Sequence, residues 1–263
     1  MKTPRLILAA GLFAGLLVSS ANAQYYGPAP AGNAQKQGGS DEQRHPTGYF
    51  EFSIGLAAPV GAFGATTGTA YGGYAETGST FNISLAIPVN HSNIGVALMY
   101  GDYSNWFNIN GYVNTLQIAD QSKTYAPLVQ DVYRESFILG GIFWTWPMDR
   151  LSFDARLMGG LAFSSLPEIN YGANWDPAYG QYDYWWDTPA SSSVGFGFDM
   201  GVDLRYKLRR TSIMFGMDYI YGGATVNAYQ RYDSPTTTTY TRIYGGVPIT
   251  EISFNLGLAY EIK

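Results

Sequence analysis

The chain has 263 residues, of which 46% are hydrophobic and 16% aromatic, yet only 13% are charged; ordinary soluble domains carry roughly 25% charged residues, so a soluble surface of this size is poorly provided for. A formal net charge of −5 argues against nucleic acid as a partner. The absence of cysteine excludes disulfides, thiolate catalysis, cysteine-ligated metals and a lipid anchor on a processed Cys.

The chain opens with Lys2 and Arg5, an apolar run from Leu6 to Val18, and small residues ending in Ala21-Asn22-Ala23. This is the pattern of a secretory signal peptide over residues 1–23, cleaved after Ala23. Its apolar run is too short to serve as a membrane span and is left out of the fold. Loss of Lys2 and Arg5 takes the formal charge from −5 to −7. Residues 24–47 hold Gly-Pro-Ala-Pro-Ala-Gly and a polar Gln-rich run without apolar periodicity, and read as a flexible periplasmic tail.

From residue 48 to 263 the pattern changes to period two, the signature of strands with unlike faces. Phe50, Phe52, Ile54 and Leu56 oppose Glu51, Ser53, Gly55 and Ala57 in the first segment. Similar stripes run through Phe81–Ile87, Ile94–Tyr100, Leu151–Phe163, Val194–Tyr206, Ile213–Tyr221 and Ile252–Ile262. The fourth segment, Arg134–Trp146, is ambiguous, because Phe137, Leu139 and Phe143 lie on one parity and Ile138, Ile142, Trp144 and Trp146 on the other. Placing Trp144 and Trp146 toward lipid suits the preference of aromatic rings for the membrane interface.

The connections alternate in length. Pro88–Asn93, Pro147–Arg150 and Lys207–Arg210 are short, whereas Gly61–Gly78, Asp102–Tyr133, Ser165–Ala190 and Gly222–Val247 are long. Eight strands, short turns at one end, long loops at the other and both termini at the short end predict an all-β, closed, antiparallel up-and-down transmembrane β-barrel, with its long loops extracellular. No mature segment is apolar enough for a transmembrane helix.

The second parity is built of Gly, Ser, Ala and Asn with a few charges, which suits the narrow lumen of a small barrel better than a soluble exterior. Glu51, Asp154, Arg156, Asp199, Asp203, Arg205 and Glu251 fall on that parity. Charges there are costly unless paired, so Arg156 and Arg205 are expected to pair with carboxylates of neighbouring strands and plug the lumen.

A signal peptide, eight alternating segments, three short turns and four long loops resemble the small outer-membrane barrels of the OmpA and OmpX type. The resemblance covers Gly48 to Lys263 and implies residence in the outer membrane of a Gram-negative bacterium, contact with its lipid and lipopolysaccharide, and folding by the barrel-assembly machinery. The chain departs from many such barrels in closing on Tyr260-Glu-Ile262-Lys263 rather than on an aromatic residue.

No catalytic residue, metal site or cofactor is expected. His45 falls in the tail and His91 in a short turn, away from the wall and extracellular end where histidine-dependent barrel enzymes work. Asp154 with Glu251, or Asp199 with Asp203, read better as ion-pair partners than as catalytic dyads. The most unusual stretch is the third long loop, with Tyr171, Trp175, Tyr179, Tyr182, Tyr184, Trp185 and Trp186 interleaved with Asp176, Asp183 and Asp187. Such aromatics stack on sugars or anchor a protein partner, or else they pack the loop itself. The four long loops carry nine acidic and three basic side chains, which disfavours anionic ligands. The leading expectation is a non-enzymatic surface protein that supports the envelope and adheres to or recognises an extracellular glycan or protein. A narrow channel for small or apolar solutes is the alternative, and a lipid-modifying enzyme ranks last.

Overall fold

A computed structural model describes residues 47–66, 73–90, 92–129 and 131–262. The expected signal peptide, the tail except Thr47, and both histidines lie outside the described residues. In chain order the elements are β1 (Gly48–Pro59), β2 (Gly78–Pro88), β3 (Ile94–Trp106), α1 (Ile109–Ala119), β4 (Tyr125–Val129), β5 (Val132–Met148), β6 (Leu151–Leu166), β7 (Ile169–Asp176), β8 (Gln181–Thr188), β9 (Ser191–Leu208), β10 (Thr211–Ser234) and β11 (Thr237–Ile262).

Eight of these strands form a closed antiparallel ring. Neighbours run β1, β2, β3, β5, β6, β9, β10 and β11, and β11 returns to β1 through pairs from Gly48↔Ile262 to Pro59↔Glu251. Closure leaves no unpaired edge among the wall strands, as a wall standing in lipid requires. The first and last strands meet beside the turns joining β2 to β3, β5 to β6 and β9 to β10, so termini and short turns share one end. Two of those turns are two-residue connections that place Asp149 and Arg209 in the left-handed backbone region.

Alternation divides lipid from lumen as the stripes predict. Leu56, Val96, Leu98, Leu161, Phe196, Phe215 and Leu256 are exposed on the outer wall, while Glu51, Ser53, Asn82, Met99, Met214 and Asn255 are buried inside it. The fourth barrel strand, β5, turns Ile138, Ile142, Trp144 and Trp146 outward and buries Phe137, Leu139 and Phe143. Trp144, Trp146, Tyr206 and Tyr260 stand on the outer wall near the short turns, forming one aromatic girdle of a membrane barrel.

The long connections are folded. β10 and β11 have 24 and 26 residues, far beyond the roughly 9–11 that cross a bilayer, and they stay paired as a hairpin up to Ser234↔Thr237. The third connection folds into the β7–β8 hairpin, and β4, β7 and β8 continue from the upper part of β10 as a small sheet. The second connection carries α1, whose N-cap Asn108 accepts a 2.7 Å hydrogen bond from the Gly111 amide.

Candidate functional site

Two regions concentrate chemistry. The first is the lumen. Arg156 on β6 contacts Asp199 (3.0 Å) and Asp203 (2.5 Å) on the adjacent β9, and reaches Asp218 on β10. Asp218 also accepts hydrogen bonds from Asn255 Nδ2 (2.6 Å) and Ser253 Oγ (3.2 Å) of β11. One guanidinium therefore braces four consecutive strands through groups that are almost wholly buried. Near the short-turn end, Arg205 pairs through two nitrogens with Asp154, and its guanidinium lies 3.9 Å from the ring centre of Tyr49. The planar fork and its stacking use what distinguishes arginine from lysine. Glycine makes room for these groups. A Cβ on Gly201 would sit 2.1 Å from Asp218 Oδ1 and 2.8 Å from Arg156 Nε.

Of the seven charged residues expected inside, the structure brings Asp154, Arg156, Asp199, Asp203 and Arg205 into these two clusters. Glu51 lies within electrostatic reach of Arg156 and Arg205 but makes no ion pair or hydrogen bond with either among the described residues, and Glu251 lies apart from both arginines. Both are buried, and each has one carboxylate oxygen without a hydrogen-bond partner among the described residues. Glu251 stands opposite Ile220 in the register, beyond Asp218 toward the long-loop end, where the buried acid near it is Glu135 rather than an arginine. Sequence reasoning passed over Asp218 although it lies on the inward parity of its strand, and over Glu135 because the parity of β5 was open. Glu135 accepts a 2.8 Å hydrogen bond from Ser164. Above and between the ionic groups the lumen is filled by Met99, Tyr103, Phe137, Leu139, Met158 and Ile220.

The second region is a cap over the extracellular mouth. Phe63, Tyr74, Phe107, Ile109, Val113, Tyr133, Leu166, Tyr171, Ala224 and Ile249 form one buried cluster drawn from all four long connections and the strand ends beside them. Gln117 ties α1 to β4, donating to the Lys123 carbonyl at 2.6 Å and accepting from the Tyr125 amide at 3.0 Å. Burial pushes the Tyr112 and Tyr171 hydroxyls above the ordinary tyrosine value. At the exposed tip, hydrogen bonds from Lys123 and Ser122 hold Asp120 down to about 2.

The aromatic third loop splits between two duties. Tyr171 stacks on Trp186 at 5.0 Å, and Trp186 packs on Tyr232 at 4.9 Å and Tyr125 at 5.7 Å, so these residues build the cap. Tyr184 lies parallel to Tyr232, and Tyr182 meets Trp175 edge-on at 4.9 Å. Trp175, Tyr179 and Trp185 are exposed on the outside of the hairpin.

An apolar outer belt around a lumen of buried ions and small polar groups is the inverse of a soluble barrel, and only lipid accommodates such an exterior. This is an eight-stranded outer-membrane barrel. No family model matches the sequence, and no curated protein matches it. Solved structures similar to the barrel include Neisserial surface protein A, at 12% identity with a TM-score of 0.47 over 82% of this chain and 97% of that one. A major outer membrane protein of Thermus thermophilus matches at 11% identity and a TM-score of 0.45, over 81% and 99% of the two chains. The outer membrane protease OmpT of Escherichia coli matches at 8% identity and a TM-score of 0.43, over 83% and 98%. The barrel architecture by itself does not select a function.

Proposed function

We propose that the barrel is a non-enzymatic anchor that presents a folded recognition surface outside the cell. The observation that carries this reading is the cap: all four long connections contribute to one packed unit, which displays Trp175, Tyr179 and Trp185 beside Asp176, Asp183 and Asp187. Aromatic faces flanked by carboxylates stack on sugar rings and accept hydrogen bonds at their edges, and the same groups anchor protein interfaces. A rigid cap holds them at little entropic cost on binding. The ligand class is an extracellular glycan or protein, and the charged, filled lumen ties the platform to the membrane.

The test is binding of the protein in lipid nanodiscs to glycan arrays and host-protein panels. Trp175→Ala combined with Tyr179→Ala and Trp185→Ala should remove the binding while the heat-modifiable gel band of a folded barrel persists. Binding by the wild type that is equally strong in the triple variant overturns the reading. Deleting 170–187 is a poorer test, because it also takes Tyr171 and Trp186 out of the cap core.

The alternative is a narrow channel for small or apolar solutes. Flow along the lumen would require the Arg156 cluster and the Phe137–Met158 layer to part. Bilayer conductance of refolded wild type and Arg156→Ala tests it; silence from both counts against it.

A further inference from the structure

Beside the packed core of the cap lies a cavity of about 570 Å³. Its walls come from Tyr112, Tyr133, Leu166, Ile169, Val226 and Val247 among others, and thus from α1, β5, the β6–β7 connection and the upper β10–β11 hairpin. Among the described residues none of the lining side chains is charged. The polar groups other than tyrosine hydroxyls are Ser191 and a pair at one wall, where the Gln230 amide donates to the Thr188 hydroxyl at 3.1 Å. The cavity opens to the outside past the exposed Ala62, Pro189, Tyr244 and Pro248, and its largely apolar wall gives water few of the polar partners it needs. Small-molecule sites have this composition and fall in this size range, ~300–1,000 Å³.

A second observation points the same way. Gly245 and Gly246 form part of the wall, and a Cβ at either would meet nothing within 4 Å. Neither has a positive backbone angle that demands glycine. Gly245, on the inward parity of β11 opposite Val226, therefore leaves space toward the cavity that the hairpin's own geometry does not use, whereas Gly246 lies on the exposed face.

We infer that the cap cavity is a binding site for a neutral, largely apolar small molecule with one hydrogen-bonding group, taken up from the extracellular side. At ~30 Å³ for each water-sized group, the cavity has room for roughly 19 non-hydrogen atoms. Neutrality follows from an uncharged lining set within acidic loops: an anion would gain no partner and lose its hydration. The single polar wall at Thr188 and Gln230 orients the molecule. This inference goes beyond recognition by the exposed aromatic rim and uses different residues, so either holds without the other.

The experiment uses the full barrel in nanodiscs, with empty nanodiscs as background. The probe is phenyl-naphthylamine, a neutral fluorophore of suitable size, set against its charged relative anilinonaphthalene sulfonate. The neutral probe should bind saturably at one site per barrel, and the sulfonate about tenfold or more weakly. Gly245→Phe, which fills the cavity from a position with free space, should weaken the neutral probe by about tenfold or more with the heat-modifiable band unchanged. Val226→Trp, filling from the opposite strand, serves as the second variant if the first does not fold. Trp175→Ala with Trp185→Ala should leave probe affinity unchanged, which separates this site from the rim. No binding above the empty discs, equal binding of the sulfonate, or undiminished binding in both filled variants overturns the inference.

Discussion

Replacing Arg156 by Met strikes the largest buried ionic cluster in the barrel. The guanidinium faces Asp199, Asp203 and Asp218, whose side chains are at most 2% exposed, so its removal strands three carboxylates away from water. Breaking a buried ion pair from one side costs about 3–5 kcal/mol, much of it from the charge left behind. With an m-value near ~3 kcal/mol/M in urea, the unfolding midpoint of Arg156→Met in lipid vesicles should fall by about 1–1.7 M, read by tryptophan fluorescence and by the heat-modifiable gel shift. Adding Asp199→Asn, Asp203→Asn and Asp218→Asn to Arg156→Met should recover most of that loss, because the groups act as one unit and their effects are not additive. A midpoint shift below ~0.3 M for Arg156→Met alone would refute the reasoning. It would mean that the cluster behaves like an exposed ion pair, which contributes ~0–1 kcal/mol, and hence that water reaches it through an open lumen.

Leu98 points into lipid and its neighbour Met99 into the lumen; Leu98→Arg should destabilise the barrel by about 2–4 kcal/mol in urea titrations if that strand crosses the bilayer as described, and an unaffected midpoint would place the wall elsewhere. Asn108→Ala removes the cap of α1 and should cost about 1 kcal/mol, seen as faster hydrogen exchange of the helix amides with the barrel amides unchanged. The buried Tyr112 and Tyr171 hydroxyls titrate above the usual tyrosine value of about 10, so their contribution to the cap is complete below that pH and is lost as pH rises through the higher folded-state values. Tyrosinate absorbance should therefore show late-ionising tyrosines whose titration coincides with loosening of the cap. Full ionisation at the ordinary value with the cap intact would contradict their burial.

The eight strands and the side each residue faces were legible because a membrane barrel's wall separates two unlike media. Most wall residues declare their side by polarity, and Phe50, Glu51, Phe52 and Ser53 carry the message one residue at a time, although apolar Met99, Met158 and Ile220 also face inward. Only where both parities were apolar, in β5, did the pattern leave a choice, and there the two tryptophans indicated the side. The long connections were legible as aromatic, acidic and extracellular but not as a folded cap. Tyr171 and Trp185 read alike in sequence, yet one is buried against Trp186 and the other is exposed.

Alternation and loop length, then, sufficed to determine the closed ring, its orientation and the inward placement of the charges, since these depend on local period and on the solvent at each face. Only the tertiary structure decided that Arg156 meets Asp218 while Glu251 stands apart from the ion pairs, and that four connections border a cavity with an uncharged lining. Those outcomes depend on how far each strand is staggered around the barrel and on contacts between segments far apart in the chain. No local pattern encodes a distance across the lumen.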